Sequence, residues 1–251
     1  MRVLEFGQSN DERILMFHAS CMTWDFLKKS IDILSEKYHV IVPVLPGYDM
    51  EDESDYTSIE AIAQETEEYL LGRGIEEIDA VYGISMGGSI VIRMLAVGKI
   101  SVKKAVIDAG ITPYLYPRWM NMLFVWRDYS FMMTLKNSFS VLSFFVPQKK
   151  YGESMFEKLR QVMQRISKKT IWNNFKSCNT YSMPKKVKDS DTQIWYWYGS
   201  KEKHNRRRDI RYVKKKFPNV KVEKIKGFQH AEFVMLKPEA FAHKLMEVIT
   251  K

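Results

Sequence analysis

The sequence is poor in cysteine, with only Cys21 and Cys178 among its 251 residues. Two cysteines are too few for the disulfide framework of a small secreted protein, and neither lies in a metal-binding spacing. The sequence also lacks a Walker-type loop and the Gly-x-Gly-x-x-Gly pattern that would hold a nucleotide. We therefore expect no metal, no cofactor and a reducing, cytoplasmic location.

Long apolar runs are also absent. No stretch approaches the roughly 18 consecutive apolar residues that a membrane-spanning helix requires. Residues 1–17 reach acidic side chains early and are typical of a strand and a turn, with no long apolar block before a small-residue cleavage site. We therefore expect neither a membrane span nor a secretion signal.

Acidic residues are scarce in the second part of the chain. Residues 1–100 have a net charge of −10, whereas residues 101–251 have a net charge of +19, within an overall +9. Much of the positive charge lies in 201–216, where apolar residues recur at helical spacing, so the cations are expected on the solvated face of an amphipathic helix. Weak attraction to anionic lipid is an open alternative. A nucleic-acid partner is not expected, because no zinc-finger spacing or RNP-type motif accompanies the charge.

Short apolar runs alternate with amphipathic stretches in the first 110 residues. Two stretches, 24–37 and 58–74, have apolar residues at the three- and four-residue intervals of a helix. The short apolar runs predict buried strands at 13–19, 39–45, 78–83 and 104–110. This alternation predicts an α/β fold with a mostly parallel, doubly wound sheet that is covered by helices on both faces.

The pattern changes in the middle of the chain. Residues 112–185 contain helical stretches rich in Trp, Phe and Met, with no convincing strand alternation. Strand-type runs return at 192–199 and 220–225, each followed by a polar loop and a helical stretch. We therefore expect one α/β core in two parts, 1–111 and 186–251, interrupted by a helical insertion at 112–185.

A serine stands between two glycines in the segment Gly83-Ile84-Ser85-Met86-Gly87, after a predicted strand and before a predicted helix. A sharp strand-to-helix turn would expose this serine at the carboxyl edge of the sheet, and flanking glycines would avoid collisions in the turn. The free N–H groups at the start of the helix would face a developing oxyanion. Ser85 is therefore a candidate nucleophile.

A serine nucleophile needs a base, and the base needs an orienting acid. Among the five histidines, His230 lies in the loop after the last predicted strand, while Glu202 follows the strand at 192–199. Parallel strands all end at one edge, so both side chains are expected near Ser85. Asp108, at the end of another predicted strand, is an alternative acid, but the chain order of serine, acid and histidine favours Glu202.

The segments FHASCMTW, LPGYD, GISMGG, YGSKE and GFQHAEF make the sequence resemble the α/β-hydrolase fold family over nearly its whole length. The resemblance implies a helical cap inserted after the family's sixth strand, which is where 112–185 lies. It also implies that Ser85 is the nucleophile, that His230 acts first as general base and then as general acid, and that Glu202 is the orienting carboxylate.

The resemblance further implies an oxyanion hole formed by the backbone N–H groups of Ser20 and Met86, and a structural role for His18. Two departures from the family pattern bear on this site. Ala19 replaces the usual glycine after the histidine, and Glu202 replaces the commoner aspartate.

The Met and aromatic residues of the insertion suit an adaptable apolar pocket over the site. We therefore predict a serine hydrolase that cleaves a small carboxylic ester with an apolar acyl or alcohol group through an acyl-enzyme. Thioesters, lactones, carbon–carbon bonds and peptide bonds are alternative targets. An aminopeptidase is disfavoured, because the insertion has only three acidic residues between Pro113 and Pro184 to bind a substrate amine. A receptor that binds a small apolar ligand without turnover is an alternative from another class.

Overall fold

The computed structural model describes residues 1–114 and 116–251, so the insertion predicted at 112–185 is described without Leu115. A seven-stranded sheet has the spatial order β1-β3-β2-β4-β5-β6-β7. Its strands are β1 (Arg2–Phe6), β2 (Arg13–Phe17), β3 (His39–Val44), β4 (Glu77–Ile84), β5 (Ser101–Asp108), β6 (Gln193–Gly199) and β7 (Lys221–Ile225).

All neighbouring strands are parallel except β1, which runs antiparallel to β3 at one edge of the sheet. Parallel strands need helical crossovers between them, and those helices cover both faces of the sheet. The predicted mostly parallel, doubly wound fold is therefore confirmed.

The helices are α1 (Lys28–Ser35), α2 (Ile59–Gly72), α3 (Met86–Val97), α4 (Arg118–Asn137), α5 (Phe139–Phe145), α6 (Gln148–Tyr151), α7 (Glu153–Arg165), α8 (Lys168–Thr180), α9 (Lys203–Lys216), α10 (Glu232–Leu236) and α11 (Pro238–Thr250). The buried residues form two clusters, one on each face of the sheet. Helices α1 and α11 contribute to one cluster, while α2, α3 and α9 contribute to the other.

The alternation of side chains along β2 shows how one strand serves both clusters. Leu15 and Phe17 belong to the cluster under α2 and α3, whereas Ile14 and Met16 belong to the cluster under α1 and α11. Successive side chains of a strand point to opposite faces, so a strand buried on both faces is apolar at every position. This is why the sheet could be recognised from short continuous apolar runs.

Five helices, α4 to α8, lie between β5 and β6 in the chain and are called here the inserted helices. They follow β5, which is the fifth of the seven strands in chain order. In the numbering of the family that the sequence resembles, the strand before the cap is the sixth. The two ends of the segment meet: the N–H of Tyr114 donates to the carbonyl of Asn179 at 2.8 Å, and the hydroxyl of Tyr181 donates to the carbonyl of Ile111 at 3.0 Å. The inserted helices therefore leave the core and return to it at one place.

The predicted helices are present with shifted ends. The stretch 24–37 begins with a single 3₁₀ turn at Trp24–Phe26 before α1, and α2 starts after Ser58, whose hydroxyl accepts the N–H of Ala61 at 3.1 Å. The basic stretch 201–216 forms α9 as expected. Across residues 1–114 and 116–251, no helix combines the length and apolar character that crossing a bilayer requires.

Candidate active site

Ser85 occupies a strained turn between β4 and α3. Its backbone has φ 55° and ψ −113°, a conformation that residues with a side chain rarely adopt. The N–H of Ser85 donates to the carbonyl of Asp108 at 2.8 Å, which fixes the turn to the end of β5. Strain of this kind persists only where the surroundings hold it and is common at active sites. The serine therefore lies buried at the carboxyl edge of the sheet.

The two glycines beside Ser85 are required by close packing. A Cβ atom on Gly83 would lie 2.3 Å from the carbonyl oxygen of Gly87, and a Cβ on Gly87 would lie 2.5 Å from the carbonyl oxygen of Phe17. No real side chain fits at such distances, so the turn needs glycine at both positions. The contact with Phe17 also brings the start of α3 against the end of β2.

His230 and Glu202 meet at the same edge. The Nδ1 of His230 lies 2.9 Å from the Oε2 of Glu202. Their loops are also joined through the backbone, because the N–H of Lys201 donates to the carbonyl of Phe228 at 3.1 Å. Two-fifths of the His230 side chain is exposed, whereas the carboxylate of Glu202 is buried. The pair thus has the geometry of an imidazole oriented by a carboxylate, with its other nitrogen accessible.

Both carboxylate oxygens of Glu202 have partners. Oε1 accepts the N–H of Gly199 at 3.0 Å, and Oε2 lies 3.2 Å from the Nε of Arg206, an ion pair without the alignment of a hydrogen bond. Burial acts to raise the pKa of Glu202, but the hydrogen bond from His230 and the charge of Arg206 outweigh burial and leave this pKa below its usual range. Glu202 is therefore held in its ionised form.

Asp108 lies at the end of β5 and has a different partner. Its Oδ2 accepts a hydrogen bond from the hydroxyl of Tyr82 at 2.8 Å. Burial raises the pKa of Asp108 to about 6, and the neighbouring negative charge of Glu202 acts in the same direction. The hydrogen bond of this carboxylate thus joins β5 to β4, whereas the imidazole is bound by Glu202.

The predicted oxyanion donors lie on two segments that pack together. Met86 is the first residue of α3, and Ser20 belongs to the turn that follows β2, whose end contacts Gly87. His18 is fully buried in this turn, with Nδ1 2.9 Å from the carbonyl of Ala19, while its Nε2 accepts the N–H of Leu45 at 3.3 Å. Burial lowers the pKa of His18 to about 4, so the ring is neutral and connects two loops.

Left-handed backbone marks this edge of the sheet. Within the described part of the chain, four non-glycine residues have positive φ: Cys21, Ser85, Ala109 and Ala231. Each lies in or beside a site segment described above. Cys21 follows Ser20, Ala109 follows Asp108 and Ala231 follows His230, while Ser85 is the serine of the turn itself. Such residues are uncommon and costly, so their concentration at one edge is typical of a functional site.

A second buried carboxylate lies beside the histidine. Glu232, two residues after His230, accepts the N–H of Gln229 at 2.8 Å and the hydroxyl of Tyr151 at 2.7 Å, and it also pairs with Lys150. Burial acts to raise the pKa of Glu232, but these donors outweigh it and lower the pKa. Glu232 therefore joins the histidine loop to α6 of the inserted helices.

The sequence interpretation missed three of these residues. Arg206 was expected on the solvated face of a basic helix, yet only 16% of its side chain is exposed. Its spacing of four residues from Glu202 was the one available signal, because such residues face the same side of a helix. The hydrogen bonds of Tyr82 with Asp108 and of Glu232 with Tyr151 join residues distant in sequence, so no local sequence pattern could indicate them.

The structure leaves the hydroxyl of Ser85 without a hydrogen bond to His230. Hydrogen bonds between a nucleophile and its base are often long until substrate binds, so this geometry is compatible with their pairing. Among the described residues, no group of three or more His, Cys, Asp or Glu side chains is arranged to hold a metal ion.

Comparisons with solved structures agree with this architecture. A protein from Desulfitobacterium hafniense assigned to the α/β-hydrolase family aligns with a TM-score of 0.79 at 17% identity, over 99% of this chain and 100% of its own. The enol-lactonase from Burkholderia xenovorans LB400 aligns with a TM-score of 0.77 at 13% identity, over 100% and 96%. An esterase from a marine microorganism aligns with a TM-score of 0.72 at 19% identity, over 98% of each chain.

Similarity at these identities shows a shared fold. No curated protein matches the sequence significantly. The sequence model of the alpha/beta hydrolase family, however, matches residues 14–244, which includes both parts of the core and the inserted helices. The chain belongs to the α/β-hydrolase family.

Proposed function

We propose that this protein is a serine hydrolase that cleaves a carboxylic ester with an apolar acyl or alcohol group. The observation that carries the proposal is the contact of 2.9 Å between His230 Nδ1 and the ionised carboxylate of Glu202, at the edge where Ser85 occupies a strained turn. Family membership supports hydrolytic chemistry, and the esterase and the enol-lactonase with the same fold act, by their names, on ester bonds.

In the first half of the proposed reaction, the hydroxyl of Ser85 attacks the ester carbonyl and passes its proton to Nε2 of His230. Glu202 binds Nδ1–H, which keeps Nε2 free to accept that proton and stabilises the imidazolium that forms. The N–H groups of Met86 and Ser20 would stabilise the oxyanion of the tetrahedral intermediate. His230 then returns the proton to the leaving alkoxide, and the alcohol departs from an acyl-enzyme on Ser85.

In the second half, a water molecule gives a proton to His230 and attacks the acyl carbonyl. The second tetrahedral intermediate collapses, and its C–O bond to Ser85 breaks as His230 returns the proton to the serine oxygen. The carboxylic acid is released with the enzyme in its starting form. Each step uses the same imidazole as base and then as acid, which is why its orientation by Glu202 matters twice in each turnover.

An apolar substrate is supported by the contact of the inserted helices with the predicted oxyanion turn. The Sδ of Met132 on α4 lies 3.5 Å from the Sγ of Cys21, the residue after Ser20. Met132 and Met133 are partly buried against the core cluster of the α2 and α3 face. Methionine side chains adapt to apolar ligands of different shape, so Met132 beside this turn would suit an acyl or alcohol chain.

The proposal is tested with an activated fluorophosphonate and with chromogenic short- and medium-chain esters. We expect covalent modification of Ser85, read by mass spectrometry, and ester turnover. The Ser85→Ala variant should lose the label and lower kcat by on the order of 10⁴ or more. Ser101→Ala, which changes an exposed serine at the start of β5, is the control and should keep both.

An unlabelled Ser85 without ester turnover, in protein shown to be folded by circular dichroism, would exclude the serine hydrolase. If small apolar ligands raised the melting temperature of such unreactive protein, the receptor alternative would replace it.

A further inference from the structure

Large apolar side chains are exposed mainly on the inserted helices. We define the outer aromatic surface as Trp119, Leu123, Trp126, Phe131, Phe144 and Phe145. Phe144 has 77% of its surface exposed and Trp119 has 66%. Among the described residues outside 116–145, the exposed large hydrophobic residues are limited to Met1, Met50 and Leu71. Such concentration on one element marks an interaction site rather than the ordinary scatter of exposed apolar residues.

The residues of this surface form two groups. Trp119, Leu123 and Trp126 recur at intervals of four and three, so they form one stripe along α4. The ring of Phe131, near the end of α4, lies 5.1 Å from the ring of Phe145 on α5, which lies 5.3 Å from Phe144. The outer aromatic surface therefore consists of a stripe on α4 and a phenylalanine group shared by the end of α4 and α5.

Helix α4 is apolar on opposite faces. Its inner face buries Val125 and Leu135, while the stripe that contains Trp119 and Trp126 points outward. A helix that is apolar all round is normally covered all round. The neighbours of α4 are mainly the other inserted helices α5, α7 and α8, and the stripe stays exposed, so the outer face is suited to an apolar partner.

The charges around this surface have one predominant sign. Between Pro113 and Pro184 there are 11 Lys and Arg residues and three acidic residues. From Arg118 to Lys150 the one acid is Asp128, which pairs with Arg127 at 2.7 Å. Arg118 and Lys149 are exposed at the two ends of this stretch. The partner must therefore tolerate or prefer cations beside the aromatic side chains.

A second copy of the chain fits these charges poorly, because self-association through this surface would bring two positive surfaces together. An anionic lipid bilayer fits both properties. Trp and Phe side chains are favourable at the boundary between headgroups and acyl chains, and neighbouring Lys and Arg side chains attract anionic headgroups. We propose that the outer aromatic surface binds the protein peripherally to anionic membranes. This binding is independent of the proposed hydrolase activity.

The test measures co-sedimentation of the full chain with vesicles of phosphatidylcholine alone and of phosphatidylcholine mixed with phosphatidylglycerol. We expect binding to the mixed vesicles, and much weaker binding to phosphatidylcholine alone or in high salt. The triple variant Trp119→Ser, Trp126→Ser, Phe144→Ser should bind the mixed vesicles about tenfold less or weaker still.

Leu71→Ser, which changes an exposed leucine on α2, is the matched control and should bind as the parent does. Ser85→Ala should also bind normally, which separates this proposal from the failure of the hydrolase assignment. Circular dichroism and melting temperature establish that each variant is folded.

The proposal is overturned if the parent binds neither vesicle, or if the folded triple variant binds the mixed vesicles as well as the parent. The second result would assign the attraction to the basic helix α9 instead. A parent dimer that becomes monomeric in the triple variant, with no vesicle binding by either protein, would overturn it in favour of a second copy.

Discussion

Asp108 and Glu202 lie at the ends of two neighbouring strands, β5 and β6, yet their surroundings act on them in opposite directions. Both side chains are buried. Glu202 has His230, the N–H of Gly199 and the charge of Arg206 around it, and its pKa is lowered despite burial. Asp108 has one hydrogen bond, from Tyr82, and burial raises its pKa to about 6.

This difference shows that burial alone does not decide whether a carboxylate is charged. Burial favours the neutral acid at both positions. Glu202 has more hydrogen-bond donors and cations around it than Asp108, and these lower its pKa in spite of burial. Two acids a short distance apart are thereby assigned to different tasks, one beside the imidazole and one between strands. Pairs of titratable groups whose pKa values are pushed apart are typical of acid–base sites.

The largest expected effect is on catalysis. Glu202→Gln should keep the fold but present the wrong hydrogen-bonding partner to His230, so that kcat for an ester falls by on the order of 10³ to 10⁴. Asp108→Asn should change kcat within about tenfold, because Asp108 is hydrogen-bonded to Tyr82. Steady-state kinetics on both variants, with circular dichroism to verify folding, measure the contrast.

The reverse result would reassign the acid. If folded Glu202→Gln stayed near normal while folded Asp108→Asn was inactive, the orienting carboxylate would be Asp108. The roles proposed for Ser85 and His230 would survive that outcome.

The next effect is on stability. The pKa of Asp108 is about 6 in the folded protein and close to its ordinary 3.8 when unfolded, so the folded state binds the proton more tightly. Its contribution to the free energy of unfolding is therefore greatest below about pH 4 and is lost as the pH rises to about 6, a change of up to about 3 kcal/mol. Asp108→Asn should lack this loss and be more stable than the parent at neutral pH.

Urea unfolding of parent and variant, below and above this pH window, gives the difference directly. Glu202 provides the opposite sign: its pKa is lowered, so its contribution is present above its unfolded pKa and is lost as the pH falls. An Asp108→Asn variant with the same pH dependence as the parent would contradict the environment described for Asp108.

The smallest expected effect concerns Glu232, the buried carboxylate two residues after His230. Tyr151→Phe removes the hydroxyl that donates to Glu232 at 2.7 Å, and with it one bond between α6 and the histidine loop. We expect a loss of about 1 kcal/mol in the free energy of unfolding and a decrease in kcat of about threefold, with little change in KM.

Tyr129→Phe is the matched control for that change, since the hydroxyl of Tyr129 has no hydrogen-bond partner among the described residues. It should leave kcat unchanged. A loss of stability in Tyr151→Phe with an unchanged kcat would mean that Glu232 holds α6 without positioning His230.

The sheet could be predicted from sequence because strands buried on both faces are apolar at nearly every position. The runs around Leu15, Val42, Val81 and Val106 all have this property. The antiparallel direction of β1 could not be predicted, because a five-residue strand contains no signal of which neighbour it pairs with.

The position of Ser85, Glu202 and His230 at one edge of the sheet could be predicted, because each follows a strand and parallel strands end at the same edge. Topology alone therefore brought these residues to one side of the molecule. The choice of partner for each carboxylate depends on distances below 3 Å between loops far apart in sequence, as between Glu202 and His230. Such distances are set by tertiary packing, so these roles stay predictions for the variants above to test.

The inserted helices were the least predictable region. The sequence predicts that their aromatic and Met residues line an apolar pocket, and Tyr129, Met132 and Phe175 are partly buried against the core. Trp119 and Phe144 are exposed instead. The same apolar residue types occur in a core and on a docking surface, so composition could not distinguish buried residues from exposed ones.

The two ends of the inserted segment meet, through Tyr114 with Asn179 and Tyr181 with Ile111. A segment closed in this way can be exchanged for another of different length without moving β5 or β6. Evolution could therefore replace the inserted helices while the sheet edge that holds Ser85 is inherited unchanged. The same closure offers protein engineers a place to graft a different set of helices onto this core.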